Sequence, residues 1–242
     1  MIEHIAETGS TNADLLIRAR EGAPEGLWLR ADRQSGGRGR LGRDWQSPRG
    51  NLYASTLVRL RSGDPPAHSL SLVAAIALYE SVRHHAPRAA LVIKWPNDVL
   101  LDGNKLAGIL LERQDDAVIV GIGVNLAHAP QLPGRVTAAL SQVAPAPEPA
   151  IFCELLARQF GLALARWRHD GLRATMADWS ARAHPVGTRL ATTAHDGSRI
   201  EGSFAGLTSE AMLNLRLPGG ETVVIHSGDM EIEGMQGDAA RD

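Results

Sequence analysis

The sequence changes character at His184-Pro185, and this boundary limits what the chain can fold into more than any other feature. Before it, apolar segments of strand length alternate with segments of helical periodicity, which is typical of an α/β or α+β domain. After it, five short strands separated by turn residues follow within about 50 residues, a spacing that predicts a small SH3-like barrel. We therefore predict two domains, residues 1–183 and 184–235, followed by a flexible tail over residues 236–242.

Periodicity and turn residues place the individual elements. Thr11-x-x-Asp14 is close to a capping box and predicts a helix start at Ser10 and Thr11, and Asp102-Gly103 predicts a hairpin turn. The other expected helices are Ser69–Val82, Ala150–Trp167 and Leu172–Ala183. The expected strands are Ile2–Glu7, Gly26–Ala31, Asn51–Leu60, Ala90–Trp95, Asp98–Leu101, Leu106–Glu112, Ala117–Leu126, Arg189–Thr193, Ile200–Ala205, Met212–Arg216, Glu221–Ile225 and Met230–Ile232.

Composition argues against several classes of protein. The formal net charge of −2 provides no global positive field for nucleic acid. The charge is uneven, however, because eight arginines and two aspartates lie between Arg30 and Arg61, which favours a small anionic ligand over a polymer. The single cysteine, Cys153, excludes an internal disulfide and a zinc site of several thiolates. With neither a signal sequence nor a membrane-length apolar run, we expect a soluble cytoplasmic protein without a membrane partner.

The positive stretch centres on a loop of glycines and arginines, Gln34–Arg43, which Trp45 follows closely. Glycine lets a backbone approach a phosphate, and the arginine fork matches phosphate and carboxylate oxygens. The loop is not a P-loop, because no Gly-Lys-Ser/Thr follows, and it is not a dinucleotide fingerprint, because no helix pattern begins there. By itself it could equally be a solvated surface loop or an RGG-like RNA-binding tract.

Three further clusters are each ambiguous alone. In Lys94-Trp-Pro-Asn-Asp98 the lysine ends an apolar strand, where it could extend to solvent or stabilise negative charge on a reacting phosphorus. In Lys105–Glu112 the mid-strand Gly108 indicates close approach of a ligand ring or another backbone. In Gly121-Ile-Gly-Val-Asn125 two glycines clear one strand face, and the amide could contact a nucleotide or cap a turn.

Taken together and in this order, these motifs resemble those of the biotin protein ligases, also called biotin–[acetyl-CoA-carboxylase] ligases. The resemblance includes Ser10-Thr-Asn12 and runs from Ser10 to Asn125, then more loosely into the β-rich segment. It implies a catalytic domain of the class II aminoacyl-tRNA-synthetase type, a mixed sheet with flanking helices, followed by an SH3-like domain. The implied reaction condenses biotin with MgATP to biotinyl-5′-AMP and then transfers biotin to a lysine of a biotin carboxyl carrier protein.

The resemblance also assigns roles to the residues that bind biotin. Ser10, Thr11 and Gln34 would bind the ureido ring, and Gly37 and Arg38 would lie near the valeryl chain and its carboxylate. Close approach to biotin would be provided by Gly108, Gly121 and Gly123. The other binding residues implied by the motifs are Asn12, Trp45 and Asn97.

The charged residues would carry the reaction. Lys94 would bridge the biotin carboxylate and the α-phosphate, as the strongest candidate for catalysis. Arg40 and Arg43 would hold phosphates, with Arg40 also counted as catalytic. Asn125 and the loop Ala127–Arg135 would face the nucleotide, although this loop contains no tryptophan to cover adenine. Neither the ligands of Mg²⁺ nor a general base for the transfer step can be assigned.

Some members of the family carry an N-terminal DNA-binding domain and act as repressors. Met1 lies only nine residues before Ser10, so we expect a short form without repressor function or a nucleic-acid partner. The sequence leaves open whether the protein is a monomer or a homodimer. Two alternative functions remain at this point, a lipoate ligase-like adenylating transferase and a non-enzymatic nucleic-acid binder that uses the glycine–arginine loop.

Overall fold

The computed structural model describes residues 1–131, 136–193, 197–226, 228 and 230–232. Two β-sheets organise these residues, a seven-stranded sheet in the first part of the chain and a five-stranded sheet after residue 188. The expected mixture of helices and strands is thus confirmed as a mixed α/β architecture. Part of the expected 127–135 loop, parts of the expected 184–235 domain and the whole expected 236–242 tail lie outside the described residues.

The large sheet is mixed, because β1 and β2 run parallel while every other neighbouring pair is antiparallel. Its spatial order is β1-β2-β3-β7-β6-β5-β4. Its strands are β1 (Ile2–Thr8), β2 (Trp28–Gln34), β3 (Leu52–Arg59), β4 (Leu91–Lys94), β5 (Asp98–Leu101), β6 (Asn104–Gln114) and β7 (Ala117–Val124). Strand β2 begins later than expected because Gly26 has a φ of 83°, and it continues to Gln34 because Arg33 and Gln34 pair with β1.

Helices cover both faces of this sheet. Helix α1 (Thr11–Arg20) packs against Leu29, Leu57 and Ile119, whereas α2 (Leu70–His85) and α3 (Pro149–Ser180) belong to the larger core on the other face. Helix α3 is interrupted at Gly171, which has a φ of 78°, so the expected break between two helical segments is present. Side chains alternate along a strand, so the residues of β3 and β7 that face α1 are the odd-numbered ones, as Leu57 and Ile119 show.

The second sheet has the order β11-β10-β9-β8-β12, and all its pairs are antiparallel. It contacts the large domain through Trp95, whose Nε1 donates to the carbonyl of Ala211 at 3.2 Å. The buried His184 packs against the Phe204 ring at the same junction, with 4.5 Å between ring centroids. The strands are β8 (Arg189–Thr193), β9 (Arg199–Leu207), β10 (Leu213–Arg216), β11 (Thr222–Ile225) and β12 (Glu231–Ile232).

Candidate active site

A cavity of about 370 Å³ lies on the α1 face of the large sheet, beside the N-terminus of α1. Its floor includes Ser10, Tyr53 and Gly121, and its rim is the glycine–arginine loop. Most of the site residues expected from the sequence line this one cavity. They are Ser10, Thr11, Asn12, Gln34, Arg38, Arg40, Arg43, Trp45, Asn97, Gly108, Gly121 and Gly123.

One part of the cavity lining, which we call the neutral end, is formed by Thr11, Asn12 and Gln34, and hydrogen bonds connect these residues to Ser55 and Glu112 outside the lining. The backbone N–H of Thr11 donates to Gln34 Oε1 at 2.9 Å, and the Thr11 hydroxyl oxygen lies 3.1 Å from the same atom. The Thr11 and Ser55 hydroxyls lie 2.7 Å apart, and Ser55 donates to Asn12 Oδ1 at 2.6 Å. Asn12 Nδ2 donates to Glu112 Oε2 at 2.7 Å. Thr11, Asn12 and Ser55 are buried, so their side chains are fixed before any ligand arrives.

Helix α1 adds a partial positive charge to this end of the cavity. Ser10 is its N-cap, and the Ser10 hydroxyl accepts a hydrogen bond from the N–H of Ala13 at 3.5 Å. The first turn of a helix leaves backbone N–H groups without intrahelical partners, and the helix dipole is positive there. The expected capping box differs in one detail, because the Asp14 carboxylate accepts instead from Thr8 Oγ1, at 2.6 Å.

Three glycines clear the sheet surface under the cavity, as the sequence indicated. A Cβ on Gly121 would lie 2.2 Å from Asn12 Oδ1, and one on Gly123 would lie 2.5 Å from the Trp45 indole. A Cβ on Gly108 would lie 3.0 Å from the same indole and 3.3 Å from Lys105 Nζ. The groups that come close are therefore side chains of this protein, and the indole of Trp45 occupies the space that β6 and β7 leave open at Gly108 and Gly123.

The glycine–arginine loop is a short hairpin. The N–H of Gly39 donates to the carbonyl of Arg43 at 2.7 Å, and the N–H of Trp45 donates to the carbonyl of Gly37 at 2.9 Å. Leu41 and Gly42 turn the chain with φ values of 58° and 71°. No α-helix follows this loop, in agreement with the exclusion of a dinucleotide-binding motif.

A second part of the lining, which we call the cationic end, includes Arg38, Arg40, Arg43 and Lys105. Arg40 Nη1 donates to the carbonyl of Gly228 at 3.1 Å and to Asn97 Oδ1 at 3.4 Å. Arginine and lysine side chains at one edge of a partly enclosed cavity attract carboxylates and phosphates, and they do so more strongly than in bulk water.

Lys105 begins one of the sequence motifs, but the motif by itself indicates no role for this lysine. Its ammonium forms an ion pair of 2.7 Å with Asp98 Oδ1 and lies 5.5 Å from the centre of the Trp45 ring. Ser55 and Glu112 were likewise missed as members of the neutral end. The position of Lys105 at the start of the Lys105–Glu112 motif could have indicated its place in the site. Ser55 lies inside an ordinary strand pattern, which gives no such indication.

Lys94 lies next to the residues that line the cavity. This residue does not belong to the cavity lining; its Nζ donates to the carbonyl of Met230 at 2.9 Å and pairs with Asp98 Oδ2 at 3.3 Å. Asp98 therefore lies between two lysines. Burial alone would raise the pKa of Asp98, but the charges of Lys105 and Lys94 outweigh it and hold the pKa below its ordinary value.

Two other expected site residues are structural. Asn125 is buried, and its Nδ2 donates to the carbonyl of Ala138 at 3.0 Å, which fastens the segment after residue 136 to the sheet. A role for Asn125 in fixing this turn is thus favoured over a contact with the nucleotide. Gly37 does not line the cavity; a Cβ there would lie 2.8 Å from the carbonyl of Trp45 and 2.9 Å from Gln34 Nε2. The glycine allows the close backbone pairing that positions both residues.

Within the described ranges, no group of three or more His, Cys, Asp or Glu side chains could hold a metal ion. In the same part of the chain, no helix is both long and apolar enough to cross a membrane.

Comparison with known proteins agrees with this geometry. The sequence profile of the biotin/lipoate A/B protein ligase family matches residues 8–126, which contain the whole cavity lining. The chain is 40% identical to the biotin–[acetyl-CoA-carboxylase] ligase of Paracoccus denitrificans over 91% of its length and 96% of the relative. It is 36% identical to the protein of that name from Mycobacterium tuberculosis, over 95% and 88% of the two chains.

A solved structure shares the fold along nearly the whole chain. The biotin protein ligase from Aquifex aeolicus, in complex with biotin and ATP, superposes with a TM-score of 0.83. The alignment covers 96% of this chain and 98% of the Aquifex chain, at 23% sequence identity. The two-sheet architecture described above is therefore one that a crystallised protein also adopts.

Proposed function

The chain belongs to the biotin protein ligase family, and on that premise we propose that it joins biotin to a carrier protein. Biotin first condenses with ATP to give biotinyl-5′-AMP and pyrophosphate. The biotinyl group then passes to a lysine of the biotin carboxyl carrier protein of acetyl-CoA carboxylase, and AMP leaves. The relatives are named for this carboxylase, which supports the choice of carrier.

The observation that carries the proposal is the division of one cavity into a neutral and a cationic end. Biotin has an uncharged, hydrogen-bonding ureido ring at one end and a carboxylate at the other. The fixed chain from Gln34 to Glu112 suits the ring, because buried polar groups discriminate strongly against ligands that cannot bond to them. The cationic end suits the carboxylate together with the phosphates of ATP.

In the first step a carboxylate oxygen attacks the α-phosphorus, and the bond to the pyrophosphate oxygen breaks. Two anions must meet, and negative charge grows on the phosphoryl oxygens in the transition state. Preorganised cations in a partly enclosed site offset both effects. We assign this role to Lys105 and Arg40, which line the cavity, and not to Lys94, which does not.

In the second step the amine of the carrier lysine attacks the acyl carbon, and the bond from that carbon to the bridging oxygen breaks. AMP departs with the oxygen, and the nitrogen loses a proton to solvent. The anhydride is already activated, so the enzyme mainly has to orient the two reactants. Mg²⁺ enters with the phosphates of ATP, as is usual for this ion, so a dedicated all-protein cage is not needed.

The finer description of the architecture belongs to the same proposal. We assign residues 1–183 to a catalytic domain of the class II aminoacyl-tRNA-synthetase type and residues 184–235 to an SH3-like domain. The break in sheet membership after residue 183 supports these bounds. We also propose a cytoplasmic location, where ATP and the carboxylase are available.

The test is ATP–pyrophosphate exchange by the purified chain with biotin or lipoate as the acid, followed by biotin transfer to an isolated carrier domain. Lipoate is the matched control, because the family profile includes lipoate ligases. We expect exchange with biotin alone and a mass increase of one biotinyl group on the carrier. Exchange that responds to lipoate instead, or no exchange with either acid, contradicts the proposal.

A further inference from the structure

Two lysines and one aspartate lie side by side across three neighbouring strands behind the cationic end. Lys94 is on β4, Asp98 on β5 and Lys105 on β6. We propose that Lys94 is a positioning residue, whose charge neutralises Asp98 so that the charge of Lys105 remains available in the cavity. The inference rests on the proposed function, because it concerns how that reaction obtains its cation.

Strand pairing places the three groups together. Lys94 and Asp98 are directly paired in the antiparallel sheet, so their side chains leave the same face. Asp98 is also directly paired with Gly108, which has no side chain. A Cβ on Gly108 would lie 3.3 Å from Lys105 Nζ, so the glycine leaves the space in which Lys105 reaches back to Asp98.

The balance of charges explains why the second lysine is needed. Asp98 is 5% exposed, and the side chains of Lys94 and Lys105 are only 17% and 18% exposed. With Lys105 as its only partner, Asp98 would form an isolated ion pair of no net charge. With Lys94 on its other oxygen the cluster keeps one net positive charge, and Lys105 is the member that lines the cavity.

The second sheet holds Lys94 in place. The carbonyl of Met230, immediately before β12, accepts from Lys94 Nζ at 2.9 Å, and Met230 is itself 1% exposed. A buried carbonyl that accepts a hydrogen bond from an ammonium fixes the direction in which the lysine side chain points. Lys94 thus links the docking of the second sheet to the charge of a cavity that it does not itself touch.

The experiment compares Lys94→Met, Asp98→Asn and the double variant in biotin-dependent exchange. Lys94→Met should lower kcat about tenfold with a smaller change in the KM for biotin, because the lost charge acts mainly in the transition state. Adding Asp98→Asn should restore most of the lost kcat, since Lys105 again carries an unopposed charge. Lys94→Arg, which keeps the charge, should stay within about threefold of the wild type.

The matched control is Trp95→Phe. It removes a comparable hydrogen bond from the neighbouring residue to the second sheet, at the carbonyl of Ala211, without changing any charge. We expect its kcat to remain within about twofold of the wild type. Circular dichroism and thermal melting establish that each variant is folded before its rate is compared.

Three results would overturn the inference: wild-type kcat in Lys94→Met, a double variant no faster than Lys94→Met, or an equal loss in Trp95→Phe. A second readout does not depend on turnover. Calorimetric affinity for inorganic pyrophosphate should fall in Lys94→Met and recover in the double variant. If the wild type shows no exchange, the proposed function fails, and this affinity still decides whether Lys94 controls the charge of the cavity.

Discussion

The neutral and cationic ends of the cavity are built in different ways. At the neutral end, Asn12 and Ser55 find their partners within the large sheet and the helix on it. At the cationic end, Arg40 contacts the carbonyl of Gly228, and Lys94 behind it contacts the carbonyl of Met230. The neutral end is therefore built within the large sheet and its helix, whereas the arrangement of positive charge depends on both sheets.

The largest effect should come from removing the cation of the cationic end. Lys105→Met should reduce kcat for biotin-dependent ATP–pyrophosphate exchange about 10²- to 10³-fold, which is typical for the loss of one transition-state stabiliser. Biotin binding should be less affected, because the neutral end is unchanged. Exchange kinetics and calorimetry with biotin measure the two separately.

Arg20→Met is a control for the loss of charge alone, because Arg20 lies at the far end of α1 and contacts Gln114. It should leave kcat unchanged. A Lys105→Met enzyme with normal kcat would show that the cation of the cationic end does not stabilise the transition state.

An intermediate effect is expected at the neutral end from Ser55→Ala. The substitution leaves the buried Asn12 Oδ1 without its donor, so Asn12 is no longer held in one orientation. The KM for biotin should rise about tenfold while kcat changes little, and unfolding should become easier by about 1–3 kcal/mol.

Ser81→Ala provides the comparison for this variant, because Ser81 is an equally buried serine whose hydroxyl donates only to the helix carbonyl of Ala77. Its KM for biotin should equal that of the wild type. If Ser55→Ala instead lowers kcat at constant KM, the neutral end is not a ground-state binding surface.

The smallest effect on the reaction at neutral pH, but a clear effect on acid stability, is expected at His184. Burial lowers the pKa of His184 to about 4, and the nearby charge of Lys94 adds to the decrease. The unfolded chain takes up this proton near pH 6.5, so stability is complete above that pH and falls as the pH drops towards 4. The loss attributable to this imidazole approaches about 3 kcal/mol.

His184→Leu should flatten the pH dependence of urea unfolding between these pH values. Lys94→Met should narrow the pH range over which stability is lost, since removing the neighbouring charge moves the pKa of His184 back towards its ordinary value. An unchanged pH range in Lys94→Met would mean that the charge of Lys94 does not affect the pKa of His184.

Local signals were sufficient for most of the fold. Asp102-Gly103 turns the β5–β6 hairpin with φ values of 49° and 78°, and Ser10 begins α1 as expected. The strands of the second sheet match the short alternating segments of the sequence closely. These features depend on neighbours in the chain, and for that reason periodicity and turn chemistry are enough to predict them.

The site was less predictable where partners are distant in the chain. Lys94 and Lys105 both lie at strand ends next to apolar residues, and nothing local distinguishes them. The structure separates them by pairing, since one reaches the cavity over Gly108 and the other turns to Met230. The alternatives for Asn125 stayed open for a similar reason, because its partner Ala138 lies 13 residues away.

The contacts between the two sheets also have a consequence for how the protein is made. The Arg40–Gly228 and Lys94–Met230 contacts join residues separated by 188 and 136 positions. A ribosome that adds roughly 5–20 residues per second needs on the order of 10 s to pass from Lys94 to Met230. During that interval the large sheet can fold while its lysine lacks the carbonyl acceptor. The nascent chain can thus acquire the neutral end well before the full charge arrangement, and we expect the full rate of adenylation only after synthesis has passed the second sheet.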